Sequence, residues 1–252
     1  MRRGDKLSDW DKRLVDKILD FISDAFSKDD QPRGPRIKFV GYQEFMDFLK
    51  QPGCAVCRLI NASLRHYISV AFVEDITNPE FRAPLRTSLG YCRSHSRLVR
   101  VFSAGKLRRI GVAIVYEDLL SCVEQSLDQN IVRLPADCPM CGFETELESY
   151  ALTLICDYAN DVEFQTHYQR SAGVCLPHLQ KLLGQANGAA RSFLLTDHRR
   201  KLERLMTYLG ESIRKNGYQF RAEPMTDEEK NSWTTALYFI VGEPEFLNAA
   251  RS

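Results

Sequence analysis

The chain has 252 residues, of which 44% are hydrophobic and 27% charged, and its formal net charge is +1. These values are ordinary for a globular protein that buries a core, and a charge so near zero gives no overall attraction to nucleic acid or to an anionic membrane. No apolar run approaches the roughly 18 residues needed to span a bilayer, so we expect no membrane association.

The first 35 residues are predicted to form an amphipathic helix followed by a linker. Trp10, Leu14 and Ile18 recur at helical spacing, and the sequence DDQPRGP at 29–35 then breaks the helical pattern. The start of the chain mixes both charge signs and has no apolar core of the kind that secretory signals carry. A cytoplasmic location is therefore expected.

Two short motifs, Cys-x-x-Cys and Cys-x-x-His, then occur twice and in the same order. They are CAVC at 54–57, CRSH at 92–95, CPMC at 138–141 and CLPH at 175–178. The two inner cysteines of each pair of motifs are 35 positions apart in the first copy and 34 in the second. This agreement in register indicates an internal repeat that uses six of the eight cysteines and two of the five histidines.

The repeated motifs predict metal binding. Two residues between ligands let one turn of backbone present both side chains to the same ion, and three thiolates with one imidazole complete a tetrahedral structural zinc site. We therefore predict one ion in each repeat. The ligands would be Cys54, Cys57, Cys92 and His95 in the first repeat and Cys138, Cys141, Cys175 and His178 in the second.

Two other interpretations of the cysteines stay open. Iron–sulfur clusters use similar ligands, although usually with more cysteines. A metal-free set of thiols could act as a redox switch, but a thioredoxin-like CxxC needs a βαβ context, and the sequence around these motifs indicates no strands. Both interpretations involve the same residues as zinc binding and differ from it only in the cofactor.

The motifs are predicted to lie at helix N-termini. Pro139 directly follows Cys138 and suits the first turn of a helix, while Gly90 and Gly173 precede the CxxH cysteines and suit the end of the preceding helix. Each ion would then lie where two helix N-termini meet, and their partial positive charges would stabilise thiolates.

The last helix has the clearest start and stop signals. Thr226-Asp-Glu-Glu229 has the form of a capping box, and Gly242 is predicted to end the helix. The helical spacing of Trp233, Leu237, Ile240 and Val241 predicts that they form its buried stripe.

The predicted fold is all-α, with two pseudo-repeated helical units, each holding a Cys₃His metal site, and extra helices at both ends. We assign residues 1–35 to the N-terminal helix and linker and 36–130 to the first repeat. Residues 131–216 form the second repeat and 217–252 the capped C-terminal helix. Because the connection at 128–137 is short, the two units are expected to pack into one body.

Two basic clusters keep nucleic-acid binding as an alternative function. They comprise Arg93, Arg97, Arg100, Lys106, Arg108 and Arg109 beside the first CxxH motif, and Arg199, Arg200, Lys201 and Arg204 in the matching region of the second repeat. Such residues could contact phosphates, although a solvated helix face has the same pattern.

No catalytic motif is present in the sequence. A Walker motif, a GxSxG elbow and a Gly-rich phosphate loop are all missing, and a closed Cys₃His shell leaves no coordination position for a substrate. We therefore predict a non-enzymatic zinc protein that acts by binding another protein. The alternatives are a nucleic-acid-binding regulator and a redox- or metal-responsive switch.

The sequence also resembles a bacterial family of uncharacterised proteins that carry paired CxxC and CxxH motifs and a domain of unknown function. The resemblance rests on the CxxCRL start, GYCRSH, GVAIVYEDLL and TDEEKNSW…VGEP, and it runs from about residue 37 to 245. It implies a bacterial, cytoplasmic, metal-binding protein with the same eight ligands, and it implies no particular activity.

Overall fold

The computed structural model describes residues 41–135 and 137–243, and these residues form helices, turns and loops without a strand. The all-α prediction is therefore confirmed. The ten α-helices of the described residues are α1 Tyr42–Leu49, α2 Ala55–Ala71, α3 Pro79–Ser88, α4 Arg93–Phe102, α5 Lys106–Asp128, α6 Pro139–Tyr158, α7 Val162–Arg170, α8 Leu176–Gln185, α9 Gly188–Lys215 and α10 Asp227–Val241. A short 3₁₀ turn, Tyr218–Phe220, lies between α9 and α10. The helix predicted within residues 1–35 lies outside the described residues.

Local capping signals explain several of the helix ends. The Thr226 hydroxyl accepts a hydrogen bond from the Glu229 N–H, and the Glu229 carboxylate accepts one from the Thr226 N–H, so the predicted capping box is present. Gly242 ends α10 with a positive φ of 88°, as predicted. α2 ends at Ala71, and the Asn78 side chain caps α3 by accepting a hydrogen bond from the Glu80 N–H. Asparagine is among the residues most favoured at the N-cap of a helix.

The described residues divide into two compact units. One consists of residues 60–147 and the other of residues 42–59 with 148–243. We call them the 60–147 unit and the discontinuous unit. Each takes residues from both sequence repeats, because the division falls inside α2 and inside α6. The repeat boundaries proposed above stay predictions.

The 60–147 unit has an aromatic core. Phe72 packs edge-on against Phe81 at a centroid distance of 5.8 Å and against Tyr91 at 6.3 Å, and all three rings are buried. The backbone of α5 approaches α2 so closely that a Cβ on Gly111 would lie 1.9 Å from the Phe72 carbonyl oxygen. Only glycine fits at that position.

The discontinuous unit has its own aromatic core. Tyr42 lies 4.4 Å from Tyr158 between ring centroids, Phe164 stacks on Tyr168 at 5.6 Å, and Tyr168 contacts His198. His198 is buried, and its Nδ1–H donates to the Leu194 carbonyl at 2.9 Å.

The outer faces of α9 and α10 are more apolar than expected. The side chains predicted to be the buried stripe of α10 (Trp233, Leu237, Ile240 and Val241) are between 52% and 71% exposed, so that prediction was wrong. The buried positions of α10 are instead Glu229 and Ser232. In the part of the chain that the structure describes, no helix is long and apolar enough to cross a membrane.

Candidate metal centres

The eight predicted ligands form two clusters, each with three cysteines and one histidine. In each cluster the three Sγ atoms and one histidine nitrogen all lie within 4.8 Å of one another. The buried cluster consists of Cys54, Cys57, Cys175 and His178, and the partly exposed cluster consists of Cys92, His95, Cys138 and Cys141. Both could hold a metal ion.

The structure corrects the predicted pairing of the motifs. The first CxxC motif meets the second CxxH motif, and the second CxxC meets the first CxxH, whereas the sequence predicted that each repeat would hold its own ion. Helix lengths explain the crossing. In each repeat the CxxC motif begins a helix of 17 or 20 residues, which is about 25–30 Å long, but the helix that leads back to CxxH has only 10 or 9 residues and covers about half that length.

The buried cluster has the dimensions of a tetrahedral site. The His178 Nδ1 atom lies 3.3 Å from the Cys54 Sγ, 3.6 Å from the Cys57 Sγ and 3.0 Å from the Cys175 Sγ, and the last two sulfurs are 3.9 Å apart. An ion with bonds of about 2.3 Å to sulfur and about 2.0 Å to nitrogen would place its ligand atoms roughly 3.5–3.8 Å apart. The four donors therefore fit one such ion.

Two helix N-termini and one backbone hydrogen bond between the motif loops position the buried cluster. Cys54 immediately precedes α2, and Cys175 is the N-cap residue of α8. The Ala55 N–H donates to the Gly173 carbonyl at 3.2 Å, which joins the two motif loops. Gly173 has a φ of +78°, and a Cβ there would lie 3.2 Å from the His198 Nε2, so the loop before CxxH requires glycine.

The partly exposed cluster has nearly the same dimensions. The His95 Nδ1 atom lies 3.3 Å from the Cys92 Sγ, 3.5 Å from the Cys138 Sγ and 3.4 Å from the Cys141 Sγ. The Cys92 and Cys141 sulfurs are 3.7 Å apart. Cys92 is the N-cap residue of α4, and α6 begins at Pro139, so here too two helix N-termini point at the donors, as predicted.

A carboxylate lies behind each histidine, and sequence reasoning missed both. The Glu148 Oε1 atom lies 3.0 Å from the His178 Nε2, and the Glu144 Oε2 atom lies 3.3 Å from the His95 Nε2. Lys181 also pairs with Glu148 at 2.5 Å. A carboxylate on the outer nitrogen is the usual support of a metal-bound histidine, because it fixes the tautomer and raises the basicity of the ligating nitrogen. The signal was present as the sequence ETELE at 144–148, shortly after CPMC.

The end of α10 covers the buried cluster. A Cβ on Gly242 would lie 3.5 Å from the Cys57 Sγ and 3.6 Å from the Cys175 Sγ, so the Gly242 backbone is packed next to both thiols. The Cys54 N–H donates to the Glu243 Oε1 at 3.0 Å, and Arg58 lies 3.4 Å from the other oxygen. Burial raises the pKa of Glu243, and Arg58 opposes that shift.

The donors strongly influence one another's protonation. Burial alone would lower the pKa of His95, but hydrogen bonds to Cys138 and Glu144 outweigh it and raise that pKa to about 10. Burial raises the pKa of the Cys138 thiol, but its hydrogen bond with His95 prevails and lowers it to about 6. The pKa of His178 is likewise raised to about 10, against the effect of burial, by Cys175 and Cys54. Each cluster thus stabilises an imidazolium next to thiolate, and a bound cation would take the place of those protons.

The basic residues fall into two different environments. Arg93, Arg97, Arg100, Lys106 and Arg109 are exposed on α4 and at the start of α5, whereas Arg108 is half-buried and donates to the Phe102 carbonyl. Arg199 and Arg204 are exposed on α9. Lys201 is not available to a ligand, because its ammonium lies 2.5 Å from Asp197 and 2.7 Å from the Tyr168 carbonyl, and Arg200 also pairs with Asp197 at 2.6 Å.

Comparison with known protein families gives a match over the second part of the chain. Residues 123–245 match the model of a family of unknown function, DUF6062. The match includes the second CxxC and CxxH motifs and ends in the segment that covers the buried cluster. No curated protein and no solved structure matches the chain.

Proposed function

We propose that the protein binds one zinc ion in each cluster and acts without enzymatic activity, by binding another protein. The observation that carries the proposal is the presence of two groups of three sulfurs and one nitrogen whose separations suit a tetrahedral ion. Zinc is the metal most often held by such donors. Since all four positions are taken by protein side chains, the sites supply structure and not a reaction centre.

Metal analysis of single and double variants tests the proposal and the crossed pairing together. The wild type is expected to contain two zinc ions per chain and to be colourless, and Cys57→Ser to contain one. Cys57→Ser combined with Cys175→Ser should still contain one ion, because both residues belong to the buried cluster. Cys57→Ser combined with Cys92→Ser should contain none.

The outcomes against this proposal are equally distinct. If Cys57→Ser with Cys92→Ser retains one ion, the ligands pair within each repeat. Iron with visible charge-transfer bands in protein purified without oxygen would replace zinc with an iron–sulfur cluster. Full metal content in every variant would remove the ligand assignment. Cys122→Ser, at a half-buried cysteine outside both clusters, is the matched control and should contain two ions.

Binding to another protein is tested by making capture depend on metal. Tagged wild type, the Cys122→Ser control and the variant without ions (Cys57→Ser with Cys92→Ser) would be compared in the same extract. A partner retained by wild type and control but lost from the variant without ions supports the proposal. Capture that is equal for all three proteins shows that the clusters do not shape the binding surface.

Nucleic-acid binding is the second candidate, and one observation favours it. Arg93, Arg97 and Arg100 recur at i, i+4 and i+7 on α4, so they share one face of that helix and are all exposed. Phosphate binding by this face should fall steeply with salt and should be lost in Arg97→Ala with Arg100→Ala. Anisotropy titration of a labelled oligonucleotide measures both effects, and no binding at low salt eliminates this candidate.

A further inference from the structure

Helices α9 and α10 form an antiparallel pair within the discontinuous unit. Lys215, the last residue of α9, pairs with Glu229 near the start of α10 at 2.7 Å. At the other end, Gly242 after α10 lies at the Cys175 thiol, and Lys201 in the first half of α9 lies near Gly173, two residues before that cysteine. The two helices therefore run in opposite directions along each other.

Each of these helices carries a row of apolar side chains, most of which are exposed. On α9 the row is Leu195, Leu202, Met206, Leu209 and Ile213, whose spacing of seven, four, three and four residues matches the seam of a coiled coil. Leu209 is half-buried and the rest are exposed. On α10 the row is Trp233, Leu237, Ile240 and Val241.

Helix geometry places both rows on the same side of the pair. On α9 Met206 and Ile213 each follow a less exposed residue by one position, and on α10 Trp233, Leu237 and Ile240 do the same. One position corresponds to about 100° of rotation. In two right-handed helices that run antiparallel and face each other, this rotation points to the same side. The rows therefore make one apolar surface, which we call the α9–α10 face.

The area of this face exceeds what a monomer ordinarily leaves in water. The exposed fractions of its eight most exposed side chains together equal about four and a half whole side chains, with Ile213 at 75% and Trp233 at 61%. Seven of the eight residues are aliphatic, so the lower end of the roughly 150–250 Å² that aromatic side chains bury is the better guide, and the exposed area is on the order of 700 Å². The largest apolar patch on a typical monomer is about 300–600 Å², whereas each side of a standard interface buries about 800 Å².

We infer that the α9–α10 face binds the same face of a second copy of this chain. A twofold axis that lies in the plane of the face would bring two copies together face to face, as a four-helix arrangement with a closed, isologous interface. The inference goes beyond the proposed function, because none of the face residues belongs to either cluster. It also explains why the sequence predicted a buried stripe that a single chain leaves exposed.

Measurement of molar mass by light scattering tests the inference on the full-length, metal-loaded chain. The wild type should have twice the 28.9 kDa mass of one chain. Met206→Glu with Leu237→Glu should have the mass of one chain, with the dimer dissociation constant raised by at least about a hundredfold, because each copy would otherwise bury unpaired carboxylates. Leu120→Glu is the matched control, since Leu120 is 67% exposed on α5 outside the face, and it should stay dimeric.

Three results would overturn the inference. If the wild type is monomeric at every concentration, no second copy covers the face. The occupant would then be residues 1–40 or another protein. A dimer that persists in the double variant, or one that Leu120→Glu also dissociates, places the interface elsewhere. Unchanged circular dichroism and two zinc ions in the double variant show that a loss of mass is not a loss of folding. Failure of zinc binding in the wild type would contradict the proposed function and leave the mass measurement unaffected.

Discussion

The buried and the partly exposed clusters have the same donors in nearly the same geometry, but the protein around them differs. All four residues of the buried cluster are buried, whereas in the other cluster only His95 is, and Cys141 is exposed. The difference lies in what covers the thiols. Gly242 and Glu243 pack on the buried cluster, whereas the Cys141 thiol of the other cluster is open to solvent.

The residues behind the two CxxH loops differ as well. A Cβ on Gly173 would meet Lys201 and His198, while a Cβ on Gly90 would meet Leu119 and Tyr116. One loop is thus supported by a polar group of side chains, and the other by apolar and aromatic ones. The ligand motif therefore fixes only the set of donors, while the neighbouring helices decide how accessible each cluster is.

The largest difference between the clusters should appear in thermal stability, when one ligand thiol is removed from one cluster at a time. Cys57→Ser is expected to lower the melting temperature by about 10 °C or more, because the lost ion joins buried segments that are far apart in the sequence and each kcal/mol is worth about 2–4 °C at this size. Cys141→Ser should lower it by less, since its thiol is exposed. Thermal unfolding followed by circular dichroism measures both.

The Cys122→Ser variant controls for the substitution itself and should unfold close to the wild type. Equal losses for Cys57→Ser and Cys141→Ser would show that burial does not separate the two clusters. A larger loss for Cys141→Ser would reverse the comparison.

Zinc release to a chelator should separate the clusters by rate. We expect a fast phase from the partly exposed cluster and a slow phase from the buried one, with one ion in each. Glu243→Gln should accelerate the slow phase by on the order of tenfold, because it weakens hydrogen bonding to the Cys54 N–H and removes the charge that faces Arg58. A chromogenic chelator in stopped flow measures the rates.

The fast phase serves as the internal control, since the Glu243 carboxylate accepts from the N–H of Cys54, a residue of the buried cluster. An effect of Glu243→Gln on the fast phase, or a single phase in the wild type, would contradict the assignment of the two rates. Glu203→Gln, an exposed carboxylate on α9, should change neither phase.

The parts of this structure that depend on local sequence were predictable. The capping box at Thr226, the stop at Gly242 and the helix starts at Cys92 and Cys175 follow from residues within one turn of each other. The set of eight donors was predictable for the same reason, because CxxC and CxxH each fix two donors locally.

The pairing of the motifs and the exposure of α10 were not predictable from local patterns. Which CxxH motif meets Cys57 depends on how far α2 and α3 carry the chain, and spacing along the sequence does not contain that information. The row from Trp233 to Val241 has the spacing of a buried stripe, but spacing does not show what covers it. Sequence reasoning therefore identified the apolar face of α10 correctly but placed it in the core of the single chain, where it does not lie.

His198 provides the smallest and most specific test of the difference between the two loops. Its Nδ1–H donates to the Leu194 carbonyl at 2.9 Å, which leaves Nε2 to accept from the Val174 N–H at 3.4 Å. At the same distance from the other CxxH cysteine, the chain has the buried, untitratable Val115. Burial lowers the pKa of His198, and the charge of Lys201 acts in the same direction.

Because the folded-state pKa of His198 lies below the unfolded value of about 6.5, its stabilising contribution is complete above that value. The contribution is lost as the pH falls from about 6.5 toward the folded pKa. In His198→Gln the side-chain oxygen can still accept from the Val174 N–H but does not titrate. The advantage of the wild type over His198→Gln in free energy of unfolding should therefore shrink by on the order of 1 kcal/mol between pH 7.5 and 5.5, which is about one buried hydrogen bond.

Urea unfolding at each pH measures the difference, in which the titration of all other groups cancels. A difference that stays constant with pH would show that the loop before Cys175 does not depend on a neutral imidazole, and that the polar support of this cluster is no more pH-sensitive than the apolar support of the other.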